Sequence, residues 1–289
     1  MLQKLPIFAA FLTLAACEAD IYAPHTPELV VEGWVEAGGF PVVMVTKSFP
    51  VTTDKQSKDS LAAHLVKWAT VSVSDGDTTV YLTGKYDSGY FPPYIYTTTG
   101  LRAREGREYA LRVEFGEYLA TATTTVPAAP QAGAFRFEPT AADAEAWLAT
   151  VELDDPPGEK NYYQLFSRVG GETRQFLPAY MGCFDDAALK RPAKLPIYRA
   201  HRLGANMEYT PYFLAGDTVA VKVAQVDSVA FAFWRTYGDL VSNSENQFLA
   251  PTQGLRGNVH GAQGYWHGMN ARTAWFIVPK AEDGAKALR

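Results

Sequence analysis

Alternation of apolar and polar positions dominates the chain. Residues 29–35 (LVVEGWV) are β-branched and aromatic, and residues 42–46 (VVMVT) follow after Gly38-Gly39. Residues 71–74 alternate strictly, Asp75-Gly76 supplies a hairpin turn, and residues 79–82 return. Residues 109–115 alternate again. Gly116-Glu117 turns the chain, and residues 118–126 run back as a Thr-rich strand closed by Pro127. Short strands separated by turn signals predict a β-sandwich over residues 28–127.

Residues 127–133 (PAAPQAG) read as a linker, and a second β-rich unit is expected over 133–279. Its strands are expected at 135–137, 147–153, 162–169, 218–226 and 273–278. Asp154-Asp155-Pro-Pro-Gly reads as a solvated turn. Residues 178–215 hold four prolines and mixed charge, and read as irregular. Residues 258–268 are Gly-rich and aromatic, and read as a loop. One helix is predicted at about 228–241, capped by Asp227-Ser228. Val229, Phe233, Tyr237 and Leu240 share one of its faces, with Ala230 and Trp234 beside it. Residues 280–289 form a polar tail. The fold class is therefore mainly β, with one helix in the second domain. Leu101, Gly106 and Tyr109 resemble the tyrosine corner of immunoglobulin-like domains, which would make the first sandwich immunoglobulin-like.

The N-terminus departs from this pattern. Lys4 precedes an apolar run over residues 5–14, which has the length of a signal-peptide core and is too short to span a bilayer. Leu14-Ala15-Ala16-Cys17 follows and resembles the bacterial lipobox. The expectation is a signal peptide over 1–16, diacylglycerol and palmitate on Cys17, and a tether over 17–27. Several acyl chains give stable anchoring, so the first partner is the outer membrane. Glu18-Ala19-Asp20 resembles a surface-export signal, which favours the cell surface over the periplasmic face.

Composition narrows the classes. Of 289 residues, 47% are hydrophobic and 20% charged, which excludes wholesale disorder. The net charge of −5 argues against a nucleic-acid partner, whose phosphates need a basic surface. With Cys17 acylated, Cys183 has no partner for a disulfide, and the acids beside it would raise its pKa.

Catalytic patterns are missing. The chain has no Gly-x-Ser-x-Gly elbow, no phosphate-binding loop and no His-Glu-x-x-His helix. His260 and His267 lie on the Gly-rich segment and read as part of a turn rather than as metal ligands. Asp185-Asp186 lacks the regular ligand spacing of a calcium loop. No catalytic residue, metal or cofactor is expected. Aromatic clusters are the better clue to binding, because they offer large contact area at low entropic cost. The candidate ligand or partner contacts are Tyr90, Phe91, Tyr94 and Tyr96, then Tyr212 and Phe213, then Tyr265 and Trp266. The same residues could instead close the ends of the sandwiches.

Taken in order, several segments resemble the Bacteroidota lipoproteins of the domain-of-unknown-function 4249 family. They are the lipobox at Cys17, LVVEGWV at 29–35, VSDG at 73–76, GREY at 106–109, TTVP at 124–127, DPPGE at 155–159, GDTV at 216–219, Phe233-Trp234 and GAQGY at 261–265. The resemblance implies an outer-membrane lipoprotein working beside a TonB-dependent β-barrel transporter. On that basis the expected function is non-enzymatic capture of a ligand for the barrel, or capping of it. The alternative is an adhesion or structural module whose immunoglobulin-like domains bind host or matrix protein.

Overall fold

The computed structural model describes residues 26–48, 62–141, 143, 145–189, 192–200, 210–243 and 255–280. The expected signal peptide, Cys17, most of the tether and most of the polar tail lie outside the described residues.

Among the described residues, sixteen strands form three sheets. In chain order they are β1 (Leu29–Glu36), β2 (Val42–Lys47), β3 (Thr70–Ser74), β4 (Thr79–Tyr81), β5 (Thr83–Tyr86), β6 (Tyr94–Thr97), β7 (Glu108–Phe115) and β8 (Tyr118–Thr125). The second half adds β9 (Ala132–Pro139), β10 (Ala146–Leu153), β11 (Tyr162–Val169), β12 (Leu177–Asp185), β13 (Ala193–Ile197), β14 (Phe213–Leu214), β15 (Thr218–Val226) and β16 (Gln263–Ile277). The α-helix α1 (Ser228–Asn243) lies between β15 and β16.

The largest sheet runs β12-β11-β15-β16-β1-β2-β6-β5. It draws strands from both sides of the 127–133 linker. The join is β1 against β16, the parallel pairing in a sheet that is otherwise antiparallel. Two four-stranded sheets complete the molecule. One runs β4-β3-β7-β8; the other is centred on β10, with β9 on one side and β13 and β14 on the other.

Side chains alternate across a strand, so each strand of the large sheet serves two faces. One face carries Val31 and Val35 of β1, Val43 and Val45 of β2, and Trp266 of β16. These pack with Val71, Tyr109, Leu111 and Ala122 of the β4-β3-β7-β8 sheet in the first core. Further along the same face, Val219, Val221 and Val223 of β15 pack with Val151 and Leu153 of β10 and Phe213 of β14 in the second core. The linker thus separates two cores, while the large sheet and β16 run through both. Trp266 makes the coupling concrete: it belongs to the second half, is fully buried in the first core, and donates its indole N–H to the Tyr109 carbonyl at 2.9 Å.

The tyrosine corner is present. Tyr109 is fully buried, and its hydroxyl accepts a hydrogen bond from the Arg104 N–H at 2.8 Å. The helix occupies the predicted segment, and Asp227 caps it by accepting the Ala230 N–H at 2.7 Å.

Three expectations are corrected. The described residues of 178–215 fall largely in β12, β13 and β14, where an irregular connection was expected. Pro178 lies in β12 and Pro196 in β13, both edge strands, where a missing N–H faces away from the ladder. The second half of the Gly-rich segment, residues 263–268, is the start of β16, while 258–262 remain outside a strand. Its glycines allow close approach: a Cβ on Gly264, at φ +115°, would lie 1.9 Å from the Val31 carbonyl oxygen. Asp155 is buried rather than solvated, and accepts from the Tyr163 hydroxyl at 2.6 Å and the Asn161 amide at 3.1 Å.

Candidate functional site

The other face of the large sheet carries buried and half-buried polar groups. β1 places Glu32, Trp34 and Glu36 there, and the parallel register sets them beside Tyr265, His267 and Met269 of β16. β15 adds Lys222 and β11 adds Phe166, opposite each other in the ladder. Two carboxylates, an ammonium and an imidazole thus stand on one face of the sheet among Trp34, Phe166, Tyr265 and Met269.

These groups surround a cavity of about 150 Å³. Trp234 of α1 lines one side. The turn between β11 and β12 contributes Arg174, Gln175 and Phe176, and the β5–β6 loop contributes Tyr90. The two loops are laced together: the N–H groups of Arg174 and Gln175 each donate to the Gly89 carbonyl at 3.2 Å, and the Thr173 hydroxyl donates to it at 2.9 Å. Residues from both sides of the linker therefore build one wall. A wider groove of about 580 Å³ shares Trp34, Glu36 and Tyr90 and continues past Phe40, Thr83 and Thr97.

Lys222 Nζ lies 2.6 Å from Glu36 Oε2, and 4.2 Å from the centre of the Phe176 ring. The Tyr265 hydroxyl donates to Glu32 Oε1 at 2.6 Å. Burial raises the pKa of Glu32, opposed by that hydrogen bond. Burial, then the nearby Glu32 charge, pushes the Tyr265 phenol well above its ordinary value. Burial lowers the pKa of His267 and favours the neutral imidazole, against the pull of Asp227. At the mouth, Arg174 lies 3.7 Å from Asp87.

Two polar atoms of this wall have no hydrogen-bond partner among the described residues: Trp234 Nε1 and His267 Nδ1. An unmade bond at a buried polar group costs about 1–3 kcal/mol.

The sequence-level candidates separate cleanly. Tyr90 and Tyr265 line the cavity. Tyr94 and Tyr96 face the first core, where their hydroxyls donate to the carbonyls of Lys67 and Val66. Phe213 is fully buried in the second core, 5.4 Å from Phe137 ring to ring, and Trp266 is fully buried in the first. Tyr212 is half-buried beside β14, and Phe91 is exposed near the cavity loop. Tyr94, Tyr96, Phe213 and Trp266 are thus core residues, because the alternation of their strands turns them inward. Sequence reading missed Glu32, Glu36, Lys222 and His267. Their signal was a charged side chain within a β-branched and aromatic strand, as with Glu32 and Glu36 around Trp34 and Lys222 between Val221 and Val223.

His260 and His267 do not converge. His260 is exposed where its backbone bridges to Thr121, and His267 is buried on the cavity face. Among the described residues, no three His, Cys, Asp or Glu side chains are arranged to hold a metal ion. Cys183 has its thiol pKa pushed up to about 12 by burial and by Asp227, so it is held as the unreactive thiol.

A comparison with curated proteins gives no match. The family model described as a domain of unknown function, DUF4249, spans residues 16–274, and the chain belongs to that family.

Proposed function

We propose that the protein is a lipid-anchored, non-enzymatic ligand-capture protein of the bacterial outer membrane, displayed at the cell surface and serving a TonB-dependent β-barrel transporter. The observation that carries the capture reading is the cavity. It is lined by strands, helix and two loops, it joins both halves of the chain, and it presents aromatic faces with a few fixed polar groups, the usual make-up of a small-molecule site. The anchor rests on the signal-like segment ending at Cys17. The transporter rests on the family resemblance and on the need of a capture protein for a route inward.

Native mass spectrometry of the protein, extracted from its own membrane in mild detergent, tests this reading. The expected spectrum shows covalent acyl mass on Cys17 and a non-covalent small molecule released on activation. An unacylated chain that stays ligand-free under several gentle conditions overturns it.

The adhesion alternative draws on a different observation. Trp68, Tyr81 and Tyr86 expose most of their side chains. Large exposed aromatics suit a protein partner. Adhesion predicts binding to cells or matrix that Trp68→Ala and Tyr86→Ala abolish, with the cavity empty.

A further inference from the structure

We infer that Arg168 and Arg174 form an anion site at one end of the cavity, which takes the carboxylate or phosphate group of a small organic ligand. The inference rests on the capture reading and adds the chemistry of the captured molecule's polar end.

Register places the site. Arg168 of β11 stands opposite Ala220 of β15, and Ala220 stands opposite Trp275 of β16. This row lies on the same face as Phe166 and Lys222, two residues further along their strands. The Arg168 guanidinium rests 4.6 Å from the centre of the Trp275 ring and 4.8 Å from that of Phe176. Phe176 lines the cavity and also receives Lys222, so one ring joins the arginine to the cavity wall. The Glu32 carboxylate is remote: Tyr265, which binds it, lies ten positions from Trp275 along β16.

Fixation comes next. A cation on a free stem would say little, but Arg168 is half-buried, lies against two rings, and donates from Nη1 to the Arg174 carbonyl at 2.9 Å. Its remaining N–H groups make no hydrogen bond among the described residues and are open to solvent. A guanidinium held in this way presents a rigid fork of donors, the geometry that suits a carboxylate or a phosphate.

Charge decides the sign of the guest. Burial lowers the pKa of Arg168; Tyr90 opposes this, and no carboxylate does among the described residues. Arg174 lies 3.7 Å and Lys85 4.0 Å from the same oxygen of Asp87, both beyond hydrogen-bond reach. Lys222 and Glu36 pair with each other. Three cations thus gather around one carboxylate, in a chain of net charge −5. An anion against Arg168 gains a counter-charge and fixed donors, and a cation gains neither. The exposed Trp275 and the Tyr90 ring offer apolar contact to the rest of the ligand.

The test follows the Trp275 indole resonance in the ¹⁵N-labelled full chain, assigned with Trp275→Phe. Probes are benzoate, phenyl phosphate, benzyl alcohol and benzyltrimethylammonium. The two anions separate a carboxylate from a phosphate as the polar end. The expected result is a saturable shift with at least one anion, at lower concentration than with the neutral or cationic probe, and weakened by added salt. Affinity should fall at least about tenfold in Arg168→Gln, the loss of a charge-assisted hydrogen bond. Arg174→Gln, at an exposed position, should weaken binding about threefold, and it decides the matter should Arg168→Gln fail to fold.

Equal affinity in wild type and both variants overturns the assignment to these arginines. Tighter binding of benzyl alcohol or benzyltrimethylammonium overturns the anion site and leaves capture standing. Silence from all four probes overturns it as well, and capture then rests on whether native mass spectrometry releases a small molecule.

Discussion

At the scale of single residues, the molecule is most sensitive where it holds ionisable groups inside the cavity wall. The native state keeps the Glu32 proton to higher pH than the unfolded chain does. Its contribution to stability is therefore full below the ordinary value of 4.5 and is lost as pH rises through the native value. Glu32→Gln keeps an acceptor for Tyr265 and removes the titration. Its stability relative to wild type should improve across that window, with a slope no steeper than about 1.4 kcal/mol per pH unit. His267 runs the other way. Its pKa is lowered on folding, so stability is full above 6.5 and is lost as pH falls toward the native value. His267→Gln should flatten that acid-side loss. Urea unfolding at a series of pH values checks both; curves parallel to wild type would refute them.

At the scale of elements, two joints carry the cavity. The first is the β1–β16 pairing. Gly264→Ala places a methyl against the Val31 carbonyl and forces an L side chain into positive φ. The expected loss is about 3 kcal/mol or more, combining backbone strain with overpacking. The second is the helix start. Asp227 caps α1 with one oxygen; its other oxygen accepts from the Thr124 hydroxyl and from the Gly268 N–H at 3.3 Å. Asp227→Ala should cost about 2–3 kcal/mol, and Asp227→Asn less, as read by chemical denaturation.

The helix and most strands were legible because their periodicity is strong: β7 buries every second residue, as its sequence alternates. The edge strands β12 and β13 were hidden by prolines, which suggest breaks unless the strand is known to lie at an edge. The start of β16 was hidden by glycines that mean close packing in three dimensions and a turn in one. The cavity was half legible. Tyr90 and Tyr265 stood out as aromatics, whereas Lys222 and His267 acquire meaning only once register sets them beside Glu36 and Trp34. No pattern within one strand shows which strand pairs with it.

At the scale of the whole molecule, the shared sheet makes the halves interdependent. A fragment ending at the 127–133 linker lacks Trp266 and the β16 partner of β1. Such a fragment should not fold alone, and far-UV circular dichroism with amide exchange would show this; a protected, cooperatively melting fragment would contradict it. The same continuity suits a capture protein, because a ligand in the cavity touches both halves at once. The proposed anchor then fixes where that ligand is handed on.

The most direct test of this account is a mild-detergent pull-down of the tagged protein from its own outer membrane, with Cys17→Ala as control. The account predicts that a β-barrel transporter comes down in stoichiometric amount with the wild type and is lost with the unanchored variant. A lipoprotein that comes down intact but alone, across several gentle detergents, would contradict it.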